Sequence, residues 1–335
     1  MPGRGNSRSG DRRRDPAADA EFRRLVEDAK ARHDISAVVA RSRKVERAGR
    51  AKRAVCAFHQ ERSPSMQLYD SQGRYHCFGC GADGDIVEYV MHVERLDFKE
   101  ALRWLGAADL PVVDPAQRAI AAAEDEVERA EAIAEARAIW DAAGPAAGSP
   151  AEVYARSRGI TMSLPATIRF GHCYRWRDRE TGEVGPSLPA LIGGVSDDQN
   201  RLVGLQRIFL RDGGKAKAAM KRAKLSLGRV RGGALRLGPP ANEIIVCEGP
   251  EDGLTLAQEM PGRSVWVALG TDMMPALMLP PIVRTVVLAG DNDDAGRAAI
   301  DKAARALGER GLDVRTMFPR IGFKDFNDQL RGIRQ

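Results

Sequence analysis

A chain of 335 residues has room for two or three domains, each burying a core of its own. Its formal charge of +6 suits a polyanionic partner without requiring one. Five cysteines are too few for a disulfide framework, and no stretch approaches the roughly eighteen apolar residues of a membrane span.

Residues 1 to about 18 are basic and rich in Gly, Arg and Ser, a composition expected to stay disordered, and with no apolar core segment they form no secretory signal. A helix is expected from about Asp19 to Arg32, then an apolar stretch, Ile35–Val39, and a basic run from Arg41 to Arg53. Phe98–Leu105 reads as a short amphipathic helix with Ala101, Leu102 and Leu105 on one side. From Pro115 to Ala143 the Ala/Glu/Arg-rich sequence predicts an exposed helix or helical spacer, which Gly144–Pro150 ends at a domain boundary. Between about 151 and 240 lie short strand-like runs, Ala190–Ile192, Leu202–Leu205 and Ile208–Leu210, separated by turns. Four apolar runs follow: Ile244–Cys247, Val265–Leu269, Val286–Ala289 and Val314–Met317. They alternate with helical patterns at about 251–260, 273–279 and 294–309, which predicts a parallel sheet with helices on both faces.

Two clusters carry chemistry. The first is Cys56-x2-His59, seventeen intervening residues, then Cys77-x2-Cys80. Each pair can chelate one ion from a tight turn, and two pairs complete a tetrahedron of sulfur and nitrogen donors suited to Zn²⁺. A full donor set leaves no open position, so this zinc is expected to be structural. Gly79 and Gly81 supply permissive backbone beside Cys80. His76 falls outside the spacing and is expected at the surface or facing nucleic acid. Cys247, in an apolar run, is expected to be a small buried hydrophobe, and Cys173 stands alone.

The run Val55-Cys-Ala-Phe-His-Gln-Glu-Arg-Ser-Pro-Ser-Met66, with Tyr75-His-Cys-Phe-Gly-Cys-Gly81 and Gly84-Asp-Ile-Val-Glu-Tyr-Val-Met91, resembles the zinc-binding domain of DnaG-type bacterial and phage DNA primases. Asp34–Val39 and the basic run after it fit the same domain. Ala57 stands where that family usually has proline, which should loosen one knuckle without removing a ligand. The resemblance implies a domain that binds zinc and helps choose where a primer starts.

The second cluster is acidic. Glu248-Gly-Pro-Glu-Asp252 follows the first apolar run of the last block, and Asp291-Asn-Asp293-Asp-Ala-Gly-Arg297 follows the third. In an open parallel sheet the carboxyl ends of the strands form the ligand crevice, so acids at two such ends converge. Glu248, Asp291 and Asp293 offer an all-oxygen cage for Mg²⁺ or Mn²⁺. Glu251 and Asp294 read instead as acids that open helices. The pattern of EGxxD and DxDxAG resembles a Toprim domain. Ala268–Thr271 and Lys324-Asp325-Phe-Asn327-Asp328 fit the primase version, with Asn327 where a second aspartate is usual. The resemblance implies Glu248, Asp291 and Asp293 as catalytic acids, and adds Asp252 and Asp325 to the cation ligands. It also puts one ligand in doubt at Asn327, which Asp328 could replace.

Between Gln199 and Arg236 eleven Lys/Arg stand against one acid, Asp212. Lys and Arg neutralise phosphates along nucleic-acid tracks, and the thin aromatic content here favours backbone tracking over base stacking. Arg207, Lys224, Lys221 and Arg222 are the candidates for nucleic-acid or nucleotide contact. No G-x-x-x-x-G-K-[ST] occurs, so no fused helicase ATPase is expected, and the short stretch after the acidic block leaves little for helicase docking.

The expected fold is multidomain, α+β and α/β. A basic tail at 1–18 precedes a zinc ribbon at 19–106, a helical linker at 107–150, a basic mixed α+β subdomain at 151–240 and a Toprim-like parallel sheet at 241–335. The expected function is synthesis of short RNA primers on single-stranded DNA from ribonucleoside triphosphates, with one structural Zn²⁺ and two catalytic Mg²⁺ or Mn²⁺. A separate replicative helicase, no membrane and a cytoplasmic, nucleoid-associated location go with it. Two other readings fit the motifs: a catalytically weak DNA-binding accessory protein, and a Toprim nuclease.

Overall fold

The computed structural model describes residues 24, 26–48, 51–107, 110–178 and 181–334. The expected basic tail lies outside them, as does the start of the helix expected at 19–32, of which residues 26–32 are helical. The chain forms two compact units that divide between Asp125 and Glu126.

The first unit is built on a meander of short strands. Helix α1 (Ile35–Ala40) precedes β1 (Val45–Ala48), β2 (Ala51–Ala54), β3 (Met66–Tyr69), β4 (Arg74–Cys77) and β5 (Asp83–Asp85), each antiparallel to the next. Helices α2 (Ile86–Glu94) and α3 (Phe98–Ala107) follow. Met66 and Leu68 alternate inward on β3 and join Ile35, Val39, Ile86, Tyr89, Val90 and Leu105 in one core. Phe58 stacks on Tyr75 at 5.1 Å, and Tyr75 meets Tyr89 edge-on. Asp85 starts α2 sharply: its carboxylate accepts the Val87 and Glu88 N–H groups, while Glu88 accepts the Asp85 N–H. His33 ties the start of this unit to its end, its ring bonding the Leu105 and Pro111 carbonyls at 3.0 and 2.8 Å.

Helix α4 (Pro115–Ala142) begins in the first unit and runs into the second, with Ala136 its one buried residue, as an exposed spacer requires. The units divide inside this helix rather than at 144–150, where β6 (Gly144–Pro145) pairs with a later strand. The second unit continues with α5 (Pro150–Ser157), β7 (Ile168–Tyr174), β8 (Ser187–Ser196), β9 (Leu202–Arg211), β10 (Ala216–Lys217), β11 (Lys224–Gly228) and β12 (Ala234–Arg236). Then come β13 (Glu243–Cys247), α6 (Pro250–Glu259), β14 (Ser264–Val267), β15 (Thr285–Ala289), α7 (Asp294–Glu309), β16 (Asp313–Met317) and α8 (Phe326–Arg331).

All eleven strands join one mixed sheet, in the order β10-β9-β8-β12-β14-β13-β15-β16, with β11 also on β9 and β7 between β6 and β8. The last four strands of that order are parallel, as expected. Alternation along β13 shows the two covered faces. Ile245 and Cys247 pack with Leu254 and Leu256 of α6 and with Phe326 of α8, whereas Ile244 and Val246 pack with Ile300, Ala303 and Leu307 of α7.

Two expectations change. The runs 202–205 and 208–210 are one ten-residue strand, because Gln206 and Arg207 between them are buried within it rather than turning out to solvent. The helical pattern at 273–279 is a short 3₁₀ helix, Thr271–Ala276, with Pro275 inside it unable to carry a longer helix.

Candidate metal centres

The sulfur site is assembled by two tight turns. Cys77 ends β4, and Cys56 follows β2. The Gly79 N–H donates to Cys77 Sγ and the Phe58 N–H to Cys56 Sγ, each at 3.3 Å, so each turn fixes a thiol two residues before it closes. Cys56 Sγ lies 3.8 Å from Cys80 Sγ, and Cys77 Sγ lies 3.8 Å from His59 Nδ1. The ligand atoms of Cys56, His59, Cys77 and Cys80 fall within 4.8 Å of one another. Burial and the neighbouring thiols push Cys56 up to about 12, the strain that a dication among the sulfurs relieves. The four donors fit zinc.

Gly79 is required because a Cβ there would sit 2.8 Å from the His59 ring, and Gly81 because its φ is 72°. Glu61 was missed in the sequence. Its Oε1 accepts the Cys56 and Ser65 N–H groups at 2.7 and 3.1 Å, and its Oε2 lies 3.3 Å from His59 Nε2. A carboxylate on the second ring nitrogen orients a histidine ligand and fixes its tautomer. His76 is neither at the surface nor free to face nucleic acid. It is 5% exposed, because β5 covers it and brings Asp83 Oδ1 to 3.6 Å.

The carboxylates gather at the carboxyl ends of β13 and β15, where the sheet order reverses. Glu248 follows β13, Asp252 lies in the first turn of α6, Asp291 and Asp293 follow β15, and Asp325 caps α8. Burial first, then Asp325 and Asp291, raises Asp252 to about 7. Burial, then Glu248, Asp325 and Asp293, raises Asp291 to about 6. Glu248 is raised by burial and by Asp272 and Asp293, against the pull of Lys224 and Lys324. Mutual repulsion of this kind requires proximity, and it is what a hard cation offsets.

The surroundings make the site rigid. Asp293 Oδ1 accepts the Gly296 N–H at 2.8 Å, leaving Oδ2 to face Lys324 at 3.5 Å. A Cβ on Gly296 would lie 2.7 Å from the Asp291 carbonyl oxygen. Asn292, silent in the sequence, donates from Nδ2 to the Pro319 and Phe323 carbonyls at 2.8 and 3.0 Å, and its N–H donates to the Lys324 carbonyl at 2.7 Å. The loop bearing Lys324 and Asp325 is thereby fastened between the two aspartates. Leu269, at a φ of 71° that side chains rarely adopt, donates its N–H to the Glu248 carbonyl at 3.0 Å.

Asn327 is not a weakened ligand. It is 5% exposed and its Nδ2 donates to the Arg158 carbonyl and Thr255 Oγ1, while its N–H donates to Asp252 Oδ1 at 2.9 Å. It orients a carboxylate from behind. Asp328 need not replace it; its N–H caps onto Asp325 Oδ1.

The basic candidates separate. Lys221 and Arg222 are exposed. Arg207 is 5% exposed within β9 and donates to the Tyr174 carbonyl at 2.8 Å, so as placed it reaches no phosphate. Lys224 reaches the site by an unexpected route. Its Nζ donates to Glu251 at 2.8 Å, and Glu251 also accepts from Lys217 and Tyr154. Glu251, read as a mere helix-opening acid, is therefore the centre of an ion cluster.

Comparison with known proteins agrees with this division. Residues 22–115 match the CHC2 zinc finger and residues 243–333 the Toprim domain, while residues 130–237 match a domain of unknown function, DUF7146. The DNA primase of Thermotoga maritima is 39% identical over 83 residues, 25% of this chain and 15% of that protein. That of Clostridium acetobutylicum is 24% identical across 87% of this chain and 54% of that protein. The chain thus spans about half the length, at most, of these curated relatives. A solved structure of the zinc-binding and RNA polymerase domains of the Aquifex aeolicus primase aligns with a TM-score of 0.45 at 19% identity, covering 92% of this chain and 82% of that one. The class is that of proteins joining a zinc ribbon to a Toprim domain. Within it, the motifs of both domains and the Cys-His-Cys-Cys cluster are similar to those of the DnaG-type primases.

Proposed function

We propose that the chain synthesises short RNA primers on single-stranded DNA by metal-dependent nucleotidyl transfer. The observation that carries this reading is the gathering of Glu248, Asp252, Asp291, Asp293 and Asp325 about the carboxyl ends of β13 and β15, in a chain that also holds a zinc ribbon. Mg²⁺ or Mn²⁺ bound there neutralises triphosphate charge and lowers the pKa of an attacking hydroxyl. The chain's own part is positional. Glu248, Asp291 and Asp293 are the catalytic acids, Asp252 and Asp325 complete the cage, and Asn327 and Asn292 hold them. Lys221 and Arg222 contact the template backbone. The zinc of Cys56, His59, Cys77 and Cys80 is structural and lets its ribbon help choose the start site. A separate helicase supplies the unwound template, at the nucleoid in the cytoplasm.

The test is primer synthesis from labelled ribonucleotides on single-stranded templates, wild type beside Asp291→Ala. Template-dependent product from the wild type and at least about a hundredfold less from the variant is expected. A wild type that makes no product with either Mg²⁺ or Mn²⁺ overturns the reading in favour of a DNA-binding accessory role. Cleavage of supercoiled DNA without ribonucleotides points to a nuclease.

A further inference from the structure

Among the described residues the most exposed large apolar side chain is Ile321, at 98%. Single apolar residues are common at surfaces, where a mobile loop can fold them back. Ile321 is held out. The Phe323 N–H donates to the Arg320 carbonyl at 3.1 Å, closing a β-turn with Ile321 and Gly322 at its corners. Gly322 has a φ of 90°, the left-handed corner that a type II turn reserves for glycine. Both arms of the turn are fastened. Asn292 Nδ2 reaches the carbonyls of Pro319, Arg320 and Phe323, the Arg320 N–H donates to Gln329 Oε1 at 2.6 Å, and Arg334 lies over the Phe323 ring.

The turn stands beside the acids. Asn292 separates Asp291 from Asp293, and Lys324, three residues after Ile321, brings its Nζ to 3.5 Å from Asp293 Oδ2. Ile321 is two residues from Phe323, whose carbonyl Asn292 holds, so the Cα atoms of the two are at most about 7 Å apart. The neighbours of Ile321 are cationic: Arg320 and Arg334 are exposed, and the Lys324 side chain is 44% exposed. A polyanion suits those charges, yet the tip itself offers neither charge nor hydrogen bond. The part of a nucleic acid that such a tip matches is the face of a base pair, and apolar side chains are what proteins set against unstacked base steps.

We propose that Ile321 is a wedge that packs against the terminal base pair of an RNA–DNA hybrid at the carboxylate end. This rests on the primer-synthesis reading, which supplies the hybrid. The apolar contact takes one face of that pair out of water and keeps the next template base from stacking on it. A flexible tip would have to be ordered at each step of growth, and Asn292 has fixed it in advance. The role of Ile321 begins only once a base pair exists.

The experiment uses the full-length protein as wild type, Ile321→Ser and Ile321→Leu. Anisotropy compares a short RNA–DNA hybrid carrying a single-stranded template overhang with the same template unpaired. Ile321→Ser is expected to lower the ratio of hybrid to single-strand affinity about tenfold, and Ile321→Leu to restore it to within about twofold. In primer synthesis the ratio of longer products to the first dinucleotide is expected to fall by a similar factor in Ile321→Ser. The melting temperature should not move, because a side chain so exposed buries nothing. Should Ile321→Ser melt lower, Ile321→Thr, which keeps the β-branch and loses the apolar tip, decides by the same ratio. An unchanged ratio, whether both affinities hold or both fall, overturns the proposal. So does a wild type that sediments as a larger species than Ile321→Ser, which would give the side chain to a contact between copies. A wild type that prefers the hybrid through Ile321 but makes no primer defeats the primase reading and leaves this one standing.

Discussion

At the scale of single residues, types and spacing revealed ligands but not the groups that aim them. Cys56, His59, Cys77 and Cys80 were legible because paired spacing reflects a turn that must bring two side chains together. Glu61, Asn292 and Asn327 were not, since each acts through backbone groups that are adjacent only after folding. Glu251 does open a helix, but its partners Lys217 and Lys224 reach it from distant strands, and no local pattern announces that. Arg207 shows the reverse error, a cation counted as a phosphate ligand that the strand buries instead. The difference is measurable. Replacing Lys221 and Arg222 together by alanine should lower the salt dependence of single-strand binding by about 1.4 in log–log slope, at roughly 0.7 per lost contact. Arg207→Met should lower the melting temperature and leave that slope unchanged. A changed slope in Arg207→Met would restore it to the DNA surface.

At the scale of elements, the parallel strands and their two-faced burial were readable from apolar runs, because a strand covered on both sides shows little polar alternation. The meander in the first unit was not: its strands are three or four residues long, and turns and metal ligands decide their pairing more than hydrophobic pattern does. That unit depends on its ligands accordingly. Its core holds Cys56 and Cys77 alongside Tyr75 and Tyr89, so loss of a sulfur disturbs both the ion site and the aromatic packing. Cys77→Ser should lose zinc and unfold the first unit alone, with priming at preferred sites lost. Metal analysis with limited proteolysis checks this, the fragment beginning near Glu126 being expected to survive. A variant that is digested throughout would contradict it.

At the scale of the whole molecule, the second unit holds a repulsive centre in a stable sheet. Asp252 and Asp291 are raised to about 7 and 6 by burial and by neighbouring carboxylates, above the usual carboxylate range. A carboxyl whose pKa is raised in the folded state costs nothing while both states are protonated, and it weakens folding as pH rises past its unfolded value. Without divalent ions, stability should therefore fall as pH rises from about 4 to about 7. Mg²⁺ at pH 7.5 should restore it, raising the melting temperature by a few degrees, and Asp252→Asn should do part of the same without metal. Melts across pH with and without Mg²⁺ test this; stability rising steadily to pH 7 in chelator would refute it.

The order of strands in the large sheet has a geometric consequence. From β11 to β13 the ladder passes through β9, β8, β12 and β14, five spacings of about 4.8 Å, or roughly 24 Å along a flat sheet. Yet Lys224 at the start of β11 touches Glu251 just beyond β13. The sheet must therefore curl until these two strands approach, and α5 lies in the hollow: Ala151, Tyr154 and Ala155 share one core with Leu191 and Ile208 from one arm and Ile245 and Val265 from the other. Lys217, Glu251 and Lys224 are the clasp of that curve, and Tyr154 reaches it from the helix inside. The spacing between the lysines and the carboxylates is thus a property of sheet curvature, and a change in the packing around α5 would reach them as a change of gauge rather than of chemistry.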